Sequence, residues 1–306
     1  MGASRDGKNS GKVSIEGIAM RKWLTLLIFL GPALSWVIGL VIFPIIFALT
    51  LSFTRTTLGY SLIGDFIGIY NYLEIFFTDP KFVASLWNSL IWTGGNLALT
   101  ALISLGSALL LNEVFPGRSI LRTLIILPWA IPSVATTISW RWMLIPEFGI
   151  IQHLMTMFGL APHPIAFFGP GNAMLSVILV NVWRFSPFAT LVFLSALQSI
   201  PKELYEAAEI DGASSFKKFT SITLPNLKSI FIVMTVIGVL LTYGYFDVVW
   251  LTTRGGPGTE TLIPPVYVWL SGFYEFNLGK AAAISTITAL IMMAFSILYL
   301  KVATKK

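Results

Sequence analysis

Arg184 and Asp247 are the residues of this 306-residue chain most able to do chemistry, because each carries a full charge inside a stretch of hydrocarbon. Arg184 stands in "WRFSPF", three positions before Pro187, and Asp247 in "LTYGYFDVVW", beside Tyr243, Tyr245, Phe246 and Trp250. A charge at bilayer depth is costly, so it either marks a solute or ion pathway or is neutralised by a partner. Two readings stand for Arg184. It lines a watery cavity and bonds hydroxyls or an anionic group of a solute, or it forms a buried pair with Asp247 or caps the Trp183 carbonyl that Pro187 leaves free. The flat faces of Tyr243, Tyr245 and Phe246 suit stacking on the CH-rich face of a sugar ring, with Asp247 taking its polar edge. Aromatics near a span end also form the interfacial belt, where Trp250 belongs.

Other chemistries are excluded by residue type or spacing. Cysteine is absent, so there is no disulfide, thiolate ligand or thiol nucleophile. His153 and His163 lack the i, i+4 spacing that presents two ligands to one metal, so no metal site is expected. The N-terminal "GASRDGKN" matches a phosphate loop up to its last position, where Asn9 replaces the Ser or Thr that would hold magnesium. It also lacks the preceding strand and following helix that such a loop requires. The chain is expected to carry no ATPase, no catalytic residue and no cofactor of its own.

The elements that must position these residues are membrane spans. Hydrophobic residues make up 56% of the chain and charged residues 11%, and mean hydropathy is +0.81; soluble domains carry about 25% charged residues. With roughly 20 apolar residues per crossing, six stretches qualify: about 24–52, 86–111, 119–144, 172–198, 229–252 and 279–300. The first is too long for a signal-peptide core and is expected to remain as a span. With the N-terminus inside, fourteen of the 20 Lys and Arg residues fall on the inner side and four on the outer. That bias is topogenic: both termini are expected in the cytoplasm, and the net charge of +6 does not imply nucleic acid. The expected fold is an all-α polytopic membrane protein. It has a polar N-terminal segment, 1–22, a transmembrane domain, 23–306, and its largest cytoplasmic loop at 199–228. Prolines at 32, 44, 128, 132 and 187 are expected to bend their spans.

The loop "SIPKELYEAAEIDGASSFKKFTSITLPNL" is polar where its neighbours are hydrocarbon. Pro201 suits a first helical turn, Gly212 a left-handed stop, and Ser214 or Ser215 the cap of a second short helix. Leu204, Ala207, Ala208 and Asp211 share one face of the first helix, a narrow strip of small residues beside Glu203 and Glu206. Such a strip lets another backbone approach while a carboxylate anchors an arginine; it is otherwise a solvated surface helix.

"EAAEIDGASSFKKFTSITLP" resembles the EAA loop of the membrane subunits of binding-protein-dependent ABC importers. Glu206, Ala207, Ala208, Asp211, Gly212, Ala213, Phe219, Ile222, Leu224 and Pro225 stand where that pattern expects them; Ser229 stands where many relatives carry proline. "FDVVWLTTRGGPGTETL", "FIGIYNYLEIFFTDPKF", "LPWAIP" and "WRFSPF" are similar to the maltose-permease type of that family. The resemblance implies a coupling helix between spans four and five, in which Glu206, Ala207, Ala208, Asp211 and Gly212 dock on an ATPase. It implies a pathway to which Arg184, Tyr243, Tyr245, Phe246 and Asp247 belong. The implied partners are a homologous second permease, two ATPase chains that bind ATP and magnesium, an extracytoplasmic solute-binding protein and the lipid of an inner membrane. The implied cargo is a carbohydrate or related polyol. An ABC permease for a non-sugar solute is the near alternative. An ion-coupled secondary transporter would need acids deep in the bundle and leaves the polar loop unexplained. A receptor or scaffold without transport would show no solute-dependent ATP hydrolysis in its complex.

Overall fold

The structure is a computed structural model that describes residues 25–26, 28–161 and 163–303; the polar segment 1–22 and its phosphate-loop-like stretch lie outside the described residues. The helices, in chain order, are α1 (Ile28–Ser52), α2 (Tyr70–Phe77), α3 (Pro80–Asn112), α4 (Arg118–Leu124), α5 (Leu127–Ala130), α6 (Ser133–Met143), α7 (Ile150–Met157) and α8 (Ala173–Gln198). They continue as α9 (Lys202–Ile210), α10 (Ser215–Lys218), α11 (Leu224–Asn226), α12 (Lys228–Tyr243), α13 (Asp247–Thr252), α14 (Pro264–Trp269) and α15 (Leu278–Ala303).

Among the described residues four helices, α1, α3, α8 and α15, are long and apolar enough to cross a membrane. Two bent pairs would bring the number to six if each is one span. The first pair turns by 95° between Ala130 and Ser133, where Pro132 takes an extended conformation that helix interiors exclude. The second turns by 59° at Leu227, between α10–α11 and α12. α8 runs through Pro187 without a break. Beside it the Ser186 carbonyl accepts from the Ser104 hydroxyl at 2.9 Å and from the Thr190 hydroxyl at 2.8 Å, which ties α8 to α3. Pro44 follows a π-helical turn over Ile38–Ile42, closed by the Phe43 amide donating to the Ile38 carbonyl.

α8 is the axis of the bundle. Of its apolar window, 61% is buried, against 6% for α1, which faces outward along most of its length. α3 lies along α8, and Gly95 allows the approach: a Cβ there would come within 2.8 Å of Ile178. Two apolar cores stack along this axis. One holds Trp92, Val177, Val248, Tyr267 and Ile284; the other holds Ala108, Phe193, Leu197 and Leu227. Polar interhelical bonds lie between them, as is usual where lipid removes the hydrophobic drive for helices to associate. Asn181 Nδ2 donates to Asn96 Oδ1 at 2.6 Å, and Trp92 Nε1 donates to the Thr242 carbonyl at 2.8 Å.

The all-α expectation holds except at one corner. After α1 the chain forms a short antiparallel ribbon, β1 (Thr54–Arg55) paired with β2 (Asp65–Phe66). Gly64 is required there, since a Cβ would lie 2.0 Å from the Arg55 carbonyl oxygen.

Candidate functional site

Two interruptions of the bundle meet beside α8. One is the Pro132 bend between α5 and α6. The other is Gly244–Phe246, where the stretch expected as one span over 229–252 stops at Tyr243 and resumes as α13. The Ser133 hydroxyl, first residue of α6, donates to Asp247 Oδ2, first residue of α13, at 2.7 Å. That bond joins two half-helices that lie against each other.

Arg184 reaches the second interruption from α8. Its Nη1 donates to the Tyr245 phenol oxygen at 2.6 Å, and its guanidinium carbon lies 5.6 Å from the centre of the Tyr245 ring, within cation–π range. Nε is buried and has no hydrogen-bond partner. Neither proposed structural role is formed: among the described residues Arg184 makes no ion pair with Asp247 or any other acid, and its bond goes to Tyr245 instead of the Trp183 carbonyl. One helical turn along the same face, Phe188 stacks on Trp129 of α5 with ring centres 5.2 Å apart. Trp183 packs edge-on against Trp140 of α6 at 5.4 Å.

The structure sets Tyr245 apart from Tyr243 and Phe246. Tyr245 faces Arg184. Tyr243 is buried on another side, with Ser89, Leu90, Val239 and Met292 around a cavity between α3, α12 and α15. Tyr243 and Phe246 together line a neighbouring cavity with Val268 and Trp269, and Phe246 stacks on Trp250 at 5.5 Å. The reason is the helix break at Gly244: once α12 ends, consecutive side chains no longer follow one helical face. Sequence reading missed Ser133 and Trp129. A serine that begins a half-helix just after a proline break was the available signal for the first.

The polar loop forms its own site at one end of the bundle. α9 buries none of its residues. Glu206, Ala207, Asp211 and Gly212 are exposed, Ala208 is half-buried, and Ile210 and Phe216 are 88% and 76% exposed. Gly212 ends the helix with φ +71°, and Ser214 caps α10 by accepting from the Lys217 amide. Tyr205 holds α9 to the bundle: its ring packs on the core around Leu197 and Leu227, and its hydroxyl bonds Thr223 at 2.9 Å. Sequence reading did not single out that anchor.

At the opposite end, Asp79 caps α3 and accepts from the Lys81 amide at 3.0 Å. Lys280, from α15, lies 2.7 Å from Asp79 Oδ2 and 3.4 Å from Glu74, and the Tyr267 hydroxyl donates to Asp79. Burial pushes the Asp79 carboxyl up, but its bonds to Lys280 and Tyr267 outweigh burial and hold it below the ordinary 3.8.

No group of three His, Cys, Asp or Glu able to hold a metal occurs among the described residues. The arrangement offers hydrogen-bond donors, ring faces and helices broken into halves at two junctions.

Residues 101–305 match the family described as binding-protein-dependent transport system inner membrane component. The trehalose/maltose transport system permease protein MalF of Thermococcus litoralis is 34% identical over 277 residues, covering 89% of this chain and 90% of that one. The sulfoquinovosyl glycerol transport system permease protein SmoG of Agrobacterium fabrum is 30% identical over 291 residues, covering 93% and 94%. In fold, the chain superposes on a chain of a bacterial ABC transporter involved in import of the acidic polysaccharide alginate. The TM-score is 0.80 at 24% identity, with 95% of this chain and 100% of that one covered.

Proposed function

The chain belongs to the family of inner membrane components of binding-protein-dependent transport systems, and from that premise we propose that it is the permease subunit of an ABC importer for a carbohydrate or related polyol. It spans the membrane six times, each bent pair counting as one crossing, with both termini in the cytoplasm. It pairs with a homologous permease, rests on two ATPase chains that hold ATP and magnesium, and receives its solute from an extracytoplasmic binding protein. The sugar assignment draws support from relatives named for trehalose and maltose and for sulfoquinovosyl glycerol. The Arg184–Tyr245 pair beside the stacked Trp129 and Phe188 supports it from within the fold.

One observation carries the coupling role: α9 is a charged helix without a buried residue, yet its last residue, Ile210, and Phe216 of the adjoining α10 are both largely exposed. Exposed apolar side chains on a polar helix mark a docking surface. Glu206, Ala207, Ala208, Asp211 and Gly212 enter a groove on the ATPase. The Tyr205 anchor carries the resulting displacement to α8 and α12, and the two half-helix junctions let the pathway alternate between two states.

Asp247 is bonded to Ser133 and lies away from Arg184's ionic reach, which weighs against an ion relay between them. Purification of the tagged chain in mild detergent is expected to recover an ATPase and a second permease. Glu206→Lys is expected to lose the ATPase at least tenfold while the chain stays folded. Recovery of the wild-type chain alone, stable and intact, would sink the importer assignment.

A further inference from the structure

We propose that the solute carried past Arg184 bears an oxyanion, a carboxylate or a sulfonate on the sugar, and that the Arg184 guanidinium is its counter-charge. The inference rests on the importer assignment above and adds the charge of its cargo.

Among the described residues no acid forms an ion pair with Arg184. Glu203, Glu206, Glu209 and Asp211 lie on the α9 loop. At the opposite end, Asp79 and Glu74 bind Lys280, and Glu275 binds Lys81. Glu260 accepts from the Gly171 amide in a loop. Asp247 is the acid nearest in sequence to Tyr245, the partner of Arg184, and it is bonded to Ser133.

The Arg184 guanidinium thus stands within a 26-residue apolar helix with no acid partner among the described residues, supported by a phenol oxygen and a ring face. A guanidinium at that depth is costly unless charge or water compensates it. One of its nitrogens, Nε, is buried and has no partner, which is itself unfavourable. A neutral sugar hydroxyl can accept one bond from it. A planar carboxylate or a sulfonate accepts two parallel bonds from the fork and removes the charge penalty as well. Tyr245 fixes the fork through Nη1, and the Trp129–Phe188 stack supplies a flat apolar wall one turn away for the ring that carries the oxyanion.

The test uses the whole transporter, purified with its ATPases and binding protein. The binding protein is denatured and the released solute is identified by mass spectrometry; a sugar with a carboxylate or a sulfonate is expected, and the mass tells which. The complex is then placed in liposomes and offered a uronate disaccharide, a sulfonated glucoside and maltose. Uptake of a charged probe is expected, with Arg184→Gln lowering it tenfold or more and Arg184→Lys retaining a larger share. Co-purification of the variants with the other subunits excludes misfolding. A neutral released solute, or charged-probe uptake unchanged in Arg184→Gln, would overturn the inference and leave the importer assignment standing. A wild-type chain that purifies without ATPases would overturn both.

Discussion

The Asp79 carboxyl shows how one side chain joins three elements. It caps α3 and binds Lys280 of α15 and Tyr267 of α14, with 8% of its side chain exposed. Because its folded value lies below the ordinary 3.8, it favours the folded state wherever the unfolded chain binds more protons. That contribution is complete above the ordinary carboxylate value and is lost as pH falls through the lowered one. Thermal stability in detergent is expected to drop below pH 4 in the wild type and to be flatter there in Asp79→Asn, which should already be weaker at pH 7; parallel profiles would refute the role. At this scale the sequence was half legible. Arg184 and Asp247 stood out because a charge among apolar residues is conspicuous. Tyr245 was singled out as an aromatic face and not as the partner of Arg184, and Ser133 not at all, because a hydroxyl in a span has many ordinary uses.

Helices and their ends were the most readable level. Pro201, Gly212, Ser214 and Pro132 each carry a backbone preference that acts locally, and each acts as local chemistry dictates. The interruption at Gly244 was not legible, since the hydropathy of 229–252 is continuous and the break depends on packing against α6 and α8. The ribbon was hidden for a related reason: its short strands owe their pairing to Gly64 and to the polar groups of Thr54 and Thr56. The junction of α15 with this corner gives a prediction for one element. A Cβ at Gly279 would lie 2.1 Å from the Thr54 carbonyl oxygen, a backbone atom that cannot swing aside. Gly279→Ala is expected to cost about 1–3 kcal/mol by forced displacement, read as a lower melting temperature in detergent. Gly106→Ala, where a Cβ meets open space, should have little effect; equal effects would refute the close-contact argument.

Across the whole molecule, the first long helix is secured largely by the last. α1 lies against α15, and the chain that follows α1 is stitched to the start of α15 by the Leu58 amide to the Phe276 carbonyl at 2.9 Å and the Gly279 amide to the Thr56 carbonyl at 3.2 Å. A ribosome delivers residues in order, at about 5–20 per second, so α1 enters the bilayer long before its permanent neighbour exists. A chain ending at Asn277 is expected to insert but to have a cellular half-life several-fold shorter than the full chain, measured by pulse labelling. Co-expression of 278–306 as a separate peptide should lengthen it again, and equal half-lives would refute this account. Closure of the bundle thus doubles as a completeness check: unfinished copies leave their earliest helix without its mate, and a membrane protease can recognise them by it.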